Sequence, residues 1–219
     1  MVAWSWGGRG LGAAMVGLLA PPRCLGCRAL DCHGLELGLC AGCRLQLARG
    51  ALPGPPLDGI RRTLAATSYA GPAIPLVAAL KSGATPLAAA TMAELLAESL
   101  GRTAPELVLV PVGAARGRLL RRGLDPAHEL ALALSPRLEL PVAAVLARRD
   151  HRRQRGRPRE LRLADPPRFK AIAPAPDQVL LVDDVLTTGG TLRACAAALS
   201  EAGSRGVSAL VFARTPLGR

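Results

Sequence analysis

The segment VLLVDDVLTTGGTL, residues 179–192, constrains the fold of this chain more than any other. A run of four apolar residues leads into two adjacent carboxylates, Asp183 and Asp184, and a loop of threonines and glycines follows. The apolar run predicts a buried strand of a parallel sheet, and ligands of such sheets bind at the carboxyl ends of the strands. We therefore predict that both aspartates lie in a binding site.

The loop TTGGT, Thr187 to Thr191, precedes a segment whose apolar spacing predicts a helix over 191–202. Small residues let backbone N–H groups converge on an anion, and the helix N-terminus adds partial positive charge. Carboxylates next to such a loop would repel a lone phosphate, but they accept hydrogen bonds from hydroxyl groups. A phosphorylated ribose carries both groups and fits the whole segment. The loop matches neither the P-loop nor the dinucleotide-binding pattern.

Strand and helix signals alternate downstream of residue 60. Short apolar runs predict strands at 66–70, 107–112, 141–148, 179–185 and 206–214, and helical spacing predicts helices at 74–80, 87–100, 129–134 and 191–202. This alternation predicts an α/β fold with a doubly wound, mostly parallel twisted sheet flanked by helices. A chain of 219 residues has room for one such domain and a small appendage.

The first 59 residues differ in composition and predict three short parts. The apolar run LGAAMVGLLA within residues 1–20 is too short to span a bilayer and precedes no signal-peptide cleavage site, so we predict a leader helix packed on the protein. The cysteines follow in 21–50, and ALPGPPLDG at 51–59 predicts a linker to a domain over 60–219. We expect a cytoplasmic protein without a transmembrane segment.

Two C-x2-C pairs separated by twelve residues predict a structural zinc knuckle. Four thiolates form the closed tetrahedral ligand set of such a site, and clustered cysteines favour a metal site in a reducing compartment over a disulfide framework. A redox-active C-x-x-C is the alternative, but no thioredoxin-like strand and helix surround either pair. Cys32 and His33 could replace a ligand, whereas Cys195 is expected in the core. The predicted ligands are Cys24, Cys27, Cys40 and Cys43.

The net charge of +12 is carried almost wholly by arginine, and eight arginines fall within residues 148–162. Such density cannot pack in a core, so this stretch is either a solvated loop or a clamp for an anion. Nucleic acid, a membrane surface and a phosphorylated substrate are the anionic partners that this charge favours. An aromatic content of 2% argues against a stacking platform for single-stranded nucleic acid.

VLLVDDVLTTGGTL resembles the phosphoribosyl pyrophosphate (PRPP) signature of type I phosphoribosyltransferases, in which a strand, two acids and a T-T-G-x-T loop follow one another. The resemblance implies that Asp183 and Asp184 are the catalytic acids that hold the ribose hydroxyls, and that the loop holds the 5′-phosphate. It also implies an oxocarbenium-like ribose from which magnesium-bound pyrophosphate leaves. The implied PRPP-binding residues are Val182, Asp183, Asp184, Val185, Leu186, Thr187, Thr188, Gly189, Gly190 and Thr191.

The order of leader, cysteine pairs, linker and PRPP signature resembles the ComF (ComFC) family, amidophosphoribosyltransferase-like proteins linked to bacterial DNA uptake. Tyr69 with LKSG at 80–83 is similar to the family's Y…LK-x-G segment, and VLVPV with the downstream RRGL to its VPVP…RRGFNQ segment. Gln154, Arg162 and Phe169 match its L-x-R…Q…R-x-x-N…F stretch. The candidate residues on the pyrophosphate side are Lys81, Arg116, Arg121 and Arg122. Lys81 could equally have a surface role, and the arginines could equally contact DNA phosphates.

This chain departs from the ComF pattern at Leu124-Asp125-Pro126, where the family has F-N-Q, and at Asp165, where it has Asn. Carboxylates near pyrophosphate add repulsion unless a metal intervenes. Three functions follow: transfer of phosphoribose to an unknown nitrogen acceptor, a non-enzymatic competence factor that binds single-stranded DNA or a helicase, and a PRPP sensor closed by the arginine-rich stretch. His128 and His151 are expected to be solvated or structural.

Overall fold

The computed structural model describes residues 23–30, 34–47, 50–83, 86–100, 104–113, 123, 125–149 and 168–216. The predicted leader at 1–20 and most of the arginine-rich stretch lie outside these ranges. The helices are α1 (Ala41–Leu47), α2 (Ala73–Ser82), α3 (Pro86–Leu100), α4 (Pro126–Leu138) and α5 (Gly190–Glu201). The strands are β1 (Leu52–Pro53), β2 (Thr63–Ser68), β3 (Leu107–Pro111), β4 (Leu146–Arg149), β5 (Arg168–Ala171), β6 (Gln178–Leu186) and β7 (Gly206–Arg214).

The main sheet has the order β1-β2-β7-β6-β3. The pairs β2–β7, β7–β6 and β6–β3 are parallel, and only the short edge strand β1 is antiparallel to its neighbour. Strand β6 lies between two parallel neighbours, which is why its run of four apolar residues, Val179 to Val182, is buried on both faces. The predicted α/β fold with a mostly parallel sheet flanked by helices is confirmed.

Alternate residues of the central strands face two separate apolar cores. Helices α1 to α4 cover one face, and α5 with the β4–β5 ribbon covers the other. Residues on the first face include Leu180, Val182, Leu210, Phe212, Leu76, Met92 and Leu130, and those on the second include Val179, Leu181, Val211, Leu192, Cys195 and Leu199. The core position predicted for Cys195 is confirmed, since this residue is fully buried on α5.

The strand predicted at 141–148 is wrong in its start and in its sheet. The chain touches β3 only through an isolated bridge between Leu109 and Val142, and strand β4 begins at Leu146 and pairs with β5 in a separate antiparallel ribbon. Pro141 lacks the N–H group that a ladder needs, so this segment offers β3 little more than the Pro141 carbonyl and the Ala143 N–H. At the far end of the ribbon, Arg148 lies over the Phe169 ring, 5.9 Å from its centroid.

The segment predicted as a linker, 51–59, lies against the sheet. It contributes β1, and its Leu57 is buried in the second core beside Gly189. The domain boundaries themselves stay a prediction. In the part of the chain that the structure describes, no helix combines the length and the apolar character needed to cross a bilayer.

Candidate functional site at the carboxyl end of β6

The two aspartates of β6 lie at its carboxyl end, in the parallel part of the sheet. Asp184 is almost buried, since its side chain is 12% exposed, and its Oδ1 is 3.1 Å from the Lys81 ammonium. Lys81 belongs to the last turn of α2, so the packing of that helix on the first core brings the cation to the end of β6. The structure thus joins Lys81 to the aspartate pair, as a direct partner of Asp184.

Asp183 has an unusual protonation equilibrium. Burial, followed by the adjacent charge of Asp184, raises the pKa of Asp183 from its usual value to about 7. The Asp184 backbone N–H donates to Asp183 Oδ1 at 2.8 Å, and this bond and the Lys81 charge both oppose the rise. The carboxylic acid form of Asp183 therefore persists to higher pH than that of an ordinary aspartate.

The loop after β6 is built for a tight turn into α5. Gly189 has a φ of 78°, and a Cβ atom there would lie 2.5 Å from Leu57 Cδ2, so both the backbone and the packing require glycine. No side chain caps α5, and its first backbone bond runs from the Arg193 N–H to the Gly189 carbonyl. The N–H groups of the first turn and the exposed Thr187 and Thr188 are therefore available to an anion.

Asp125 caps helix α4. Its Oδ1 accepts from the backbone N–H groups of Ala127 at 3.1 Å and His128 at 3.4 Å, and Pro126 occupies the first helical turn. The departure from the ComF pattern at 125 and 126 is therefore a helix start, because Asp is a strong N-cap and Pro suits the first turn. The Asp125 charge is also among the causes that raise the pKa of Asp183.

Several predicted residues lie outside the described residues, and the structure leaves their positions untested. On the pyrophosphate side, only Lys81 is described. The others are Arg116, Arg121, Arg122, Leu124, His151, Gln154, Arg162 and Asp165.

The four cysteines of the predicted knuckle come together. Their Sγ atoms all lie within 4.8 Å of one another, and those of Cys27 and Cys40 are 3.9 Å apart. Zinc–sulfur bonds of about 2.3 Å in a tetrahedron place sulfur atoms roughly 3.8 Å apart, so the set fits a zinc ion. The possible substitutes, Cys32 and His33, lie outside the described residues.

Two of these thiols have strongly displaced pKa values. Burial alone would raise the pKa of Cys24, but hydrogen bonds from the backbone N–H groups of Cys40, Cys27 and Gly26 lower it to about 6. Burial, reinforced by hydrogen bonds with the neighbouring thiols, raises the pKa of Cys43. A thiolate at Cys24 is the form that a metal needs.

The knuckle is fastened to α2 and α3. Arg44 of α1 pairs with Glu36 at 2.9 Å and with Glu98 of α3 at 2.7 Å. The Thr91 hydroxyl of α3 donates to the Leu37 carbonyl at 2.5 Å. The buried residues Cys24, Leu39, Cys43 and Leu47 belong to the same core as Leu76, Leu80 and Met92.

Sequence reasoning missed one residue at the carboxyl edge of the sheet. Arg214 ends β7, beside Leu186 of β6, and its Nε atom is buried without a hydrogen-bond partner. No motif surrounds it, but an arginine at the carboxyl end of an apolar run that predicts a parallel strand was a usable signal.

Residues 119–219 match the family model described as the phosphoribosyl transferase domain, a stretch that is slightly less than half of the chain. The mostly parallel α/β fold of the described residues agrees with this match. No curated protein matches the chain at a significant level.

Three solved structures are similar to the chain at low identity. The allosteric regulatory enzyme of purine biosynthesis shares 17% identity over 62% of this chain, with a TM-score of 0.42, and only 30% of its own length is covered. Adenine phosphoribosyltransferase from Leishmania donovani shares 17% identity over 80% of each chain, with a TM-score of 0.37. The Leishmania tarentolae enzyme shares 19% over 81% of this chain and 75% of its own, with a TM-score of 0.36.

Proposed function

We propose that this protein binds PRPP at the carboxyl end of β6 and transfers its phosphoribosyl group to a nitrogen acceptor. One observation carries the proposal: an aspartate pair whose Asp184 is buried and the uncapped N-terminus of α5 flank one short loop, within the stretch that matches the phosphoribosyl transferase domain. The pair suits the hydroxyls of a ribose, and the loop with the helix N-terminus suits a phosphate.

In this proposal, Asp183 and Asp184 accept hydrogen bonds from the 2′- and 3′-hydroxyls of the ribose. The bond between C1 and the pyrophosphate oxygen breaks, and a bond from the acceptor nitrogen to C1 forms as that nitrogen loses a proton to solvent. The carboxylates stabilise the positive charge that develops on the ribose ring. Lys81 holds Asp184 in place through an ion pair of 3.1 Å.

Magnesium is expected to accompany PRPP, and the donors at the site fit it. Carboxylate oxygens are the protein ligands that magnesium prefers, and Asp183 and Asp184 supply them at the strand end. When bound, the ion would neutralise charge on the leaving pyrophosphate. Zinc at the four cysteines would be structural, since four protein thiolates leave no open coordination position.

Isothermal titration calorimetry with PRPP, with and without magnesium, tests this function. We expect heat from the wild type, loss of binding in Asp183→Asn and Asp184→Asn, and pyrophosphate release with one member of a panel of bases and amines. Asp177→Asn is the matched control, because this carboxylate precedes the same strand at the opposite end and pairs with Arg205. Absence of heat with the wild type would overturn PRPP binding.

The finer assignment to the ComF family and to DNA uptake rests on the resemblance in the order of cysteine pairs and PRPP signature. A cytoplasmic location accords with four cysteines that converge as thiols on one zinc-sized site, because reduced thiols persist in reducing compartments. PRPP binding without pyrophosphate release across the panel would favour the sensor over the transferase.

The alternative is a non-enzymatic factor that binds single-stranded DNA or a helicase. The net charge of +12, with eight arginines in 148–162, favours it. This alternative would be supported by an affinity for a single-stranded oligonucleotide that falls steeply as salt rises and is unchanged in Asp183→Asn. Affinity that is weak at every salt concentration would eliminate it.

A further inference from the structure

Arg214 brings a positive charge, with one buried donor that lacks a partner, to the same edge of the sheet as the candidate site. It is the last residue of β7, and its Cα pairs in register with Leu186 of β6 and Ser68 of β2. Its carbonyl accepts from the Tyr69 N–H at 2.7 Å, which fixes the backbone there. Because Leu186 directly precedes the loop TTGGT, Arg214 stands one strand away from the start of that loop.

The side chain of Arg214 is partly buried and unsatisfied. Its Nε atom is shielded from solvent and has no hydrogen-bond partner. Among the residues that the structure describes, none forms an ion pair with it. A buried donor on a charged group without an acceptor is unfavourable, and native proteins keep such a group where a ligand or an ion satisfies it.

The aspartates do not supply that acceptor. Asp183 lies three residues before Leu186 along β6, which corresponds to roughly 10 Å of strand. Asp184 is paired with Lys81 instead. The carboxyl edge therefore presents two zones, the aspartates with Lys81 on one side and Arg214 beside the loop on the other.

We propose that Arg214 is a further ligand-binding residue, which binds the phosphate monoester of a sugar phosphate seated on the loop 187–191. This inference rests on the proposed function and specifies which end of the ligand Arg214 contacts. An arginine side chain is longer than the spacing of about 4.8 Å between neighbouring strands, so it is long enough to span the distance from β7 to the loop. Its fork of N–H groups suits bidentate contact with a phosphate, while the N–H groups of α5 contact the other oxygens.

The two zones also set an order along the ligand. Hydroxyl groups belong near the aspartates, and a phosphate monoester belongs near Arg214. Inorganic pyrophosphate has no sugar phosphate group. It is expected to bind where the pyrophosphate of PRPP binds, away from Arg214.

Calorimetry on Arg214→Gln and Arg214→Lys with three probes tests the proposal. The probes are ribose 5-phosphate, PRPP and inorganic pyrophosphate with magnesium. We expect Arg214→Gln to weaken ribose 5-phosphate and PRPP by at least about tenfold, because a charge-assisted pair is lost. Pyrophosphate affinity should stay unchanged, and Arg214→Lys should fall between, since it keeps the charge and loses the fork.

Arg62→Gln is the matched control. Arg62 is exposed at the opposite edge of the sheet, directly before β2, and its substitution removes the same charge. It should alter none of the three affinities by more than about twofold, whereas an equal loss in this control would assign the effect to net charge. Thermal unfolding without ligand separates folding from binding. If Arg214→Gln does not fold, Arg214→Lys carries the test.

The outcomes separate this inference from the proposed function. Unchanged affinity for ribose 5-phosphate in a folded Arg214→Gln protein overturns the role of Arg214, even where Asp183→Asn abolishes PRPP binding. A wild type that binds ribose 5-phosphate through Arg214 but not PRPP overturns the proposed function and leaves the phosphate contact standing. Equal loss of affinity for pyrophosphate and for ribose 5-phosphate also contradicts the inference, because Arg214 would then not be specific for the phosphate monoester.

Discussion

The cysteine knuckle and the carboxyl end of β6 both concentrate ionisable groups, but they treat them in opposite ways. In the knuckle, Arg44 meets Glu36 and Glu98, and the four thiols converge on one point. At the end of β6, the pKa of Asp183 is raised by burial, α5 has no side-chain cap, and Arg214 has a buried donor without a partner. The charged side chains of the first region pair with one another, whereas the second region leaves the Arg214 Nε and the first-turn N–H groups of α5 without a side-chain partner.

Stability and ligand binding therefore depend on different regions of the chain. A fully satisfied polar cluster rigidifies the structure around it, and an unsatisfied one costs free energy until a ligand binds. The knuckle packs on α2, the helix that carries Lys81 to Asp184. A rigid knuckle therefore helps to hold α2, and with it Lys81, at the carboxyl end of β6.

The largest expected effect comes from replacing one of the four clustered cysteines of the knuckle, which we propose to bind zinc. Cys43→Ser should lower the free energy of unfolding by about 4 kcal/mol or more, the value lost when a ligand present at 1,000 times its Kd no longer binds. Chemical denaturation with zinc measures the loss. Chelation should destabilise the wild type by a similar amount and leave Cys43→Ser unaffected. A chelator effect of equal size in both proteins would show that these cysteines hold no metal.

The next effect is a gain in stability when Asp183, at the carboxyl end of β6, is replaced by asparagine. The pKa of Asp183 is about 7 in the folded protein and ordinary in the unfolded one, so the unfolded state loses its proton first as pH rises. The stability of the wild type therefore falls between about pH 4 and pH 7, by at most about 4 kcal/mol. Above pH 7 the deficit stays constant. Asp183→Asn should remove this loss of stability, so that stability no longer falls between pH 4 and pH 7. The same substitution should abolish PRPP binding.

Denaturation of both proteins from pH 4 to pH 8 measures this difference. Asp177→Asn is again the control, since Arg205 lowers the pKa of that exposed carboxyl and its contribution runs in the opposite direction. A wild type whose stability does not fall over this range would contradict the raised pKa, and with it the contrast between the two regions.

A smaller effect is expected at Lys81. Lys81→Gln leaves the nearly buried Asp184 carboxylate without its cation and removes a charge that lowers the pKa of Asp183. The side chain of Lys81 is 39% exposed, so solvent screening reduces the cost to about 1–2 kcal/mol. Lys81→Arg should restore most of it. Carboxyl NMR titration should show the pKa of Asp183 higher in Lys81→Gln, and an unchanged value would exclude the coupling.

Much of the fold was predictable because local patterns determine it. The run at 206–214 became β7 with the predicted bounds, and the helices at 74–80 and 87–100 appear with ends extended by one to two residues. The spacing of the cysteine pairs predicted their convergence, since Cys24 and Cys27 lie on one turn and Cys40 and Cys43 lie at the start of α1. These features depend on residues close together in the chain.

Features that depend on distant partners were not predictable in the same way. The apolar residues after Pro141 predicted a strand, but nothing local shows that β4 pairs with β5 outside the main sheet. The pairing of Lys81 with Asp184 depends on how α2 packs, and the unsatisfied Nε of Arg214 depends on what surrounds β7. Asp125 was interpreted only as a departure from a family pattern, although Asp directly before Pro is a helix-start signal.

The smallest effect is expected at Asp125. This residue adds stability as the cap of α4, although its charge also acts on Asp183 at the candidate ligand site. Asp125→Ala should cost about 1 kcal/mol through loss of the α4 cap. Asp125→Asn keeps the capping oxygen and removes the charge, so its stability should stay near that of the wild type. Because the Asp125 charge raises the pKa of Asp183, both variants should lower that pKa by the same small amount. Urea denaturation and carboxyl NMR measure the two quantities separately. Equal stability of Asp125→Ala and Asp125→Asn would show that the cap contributes nothing, and the carboxylate would then be a feature of the site alone.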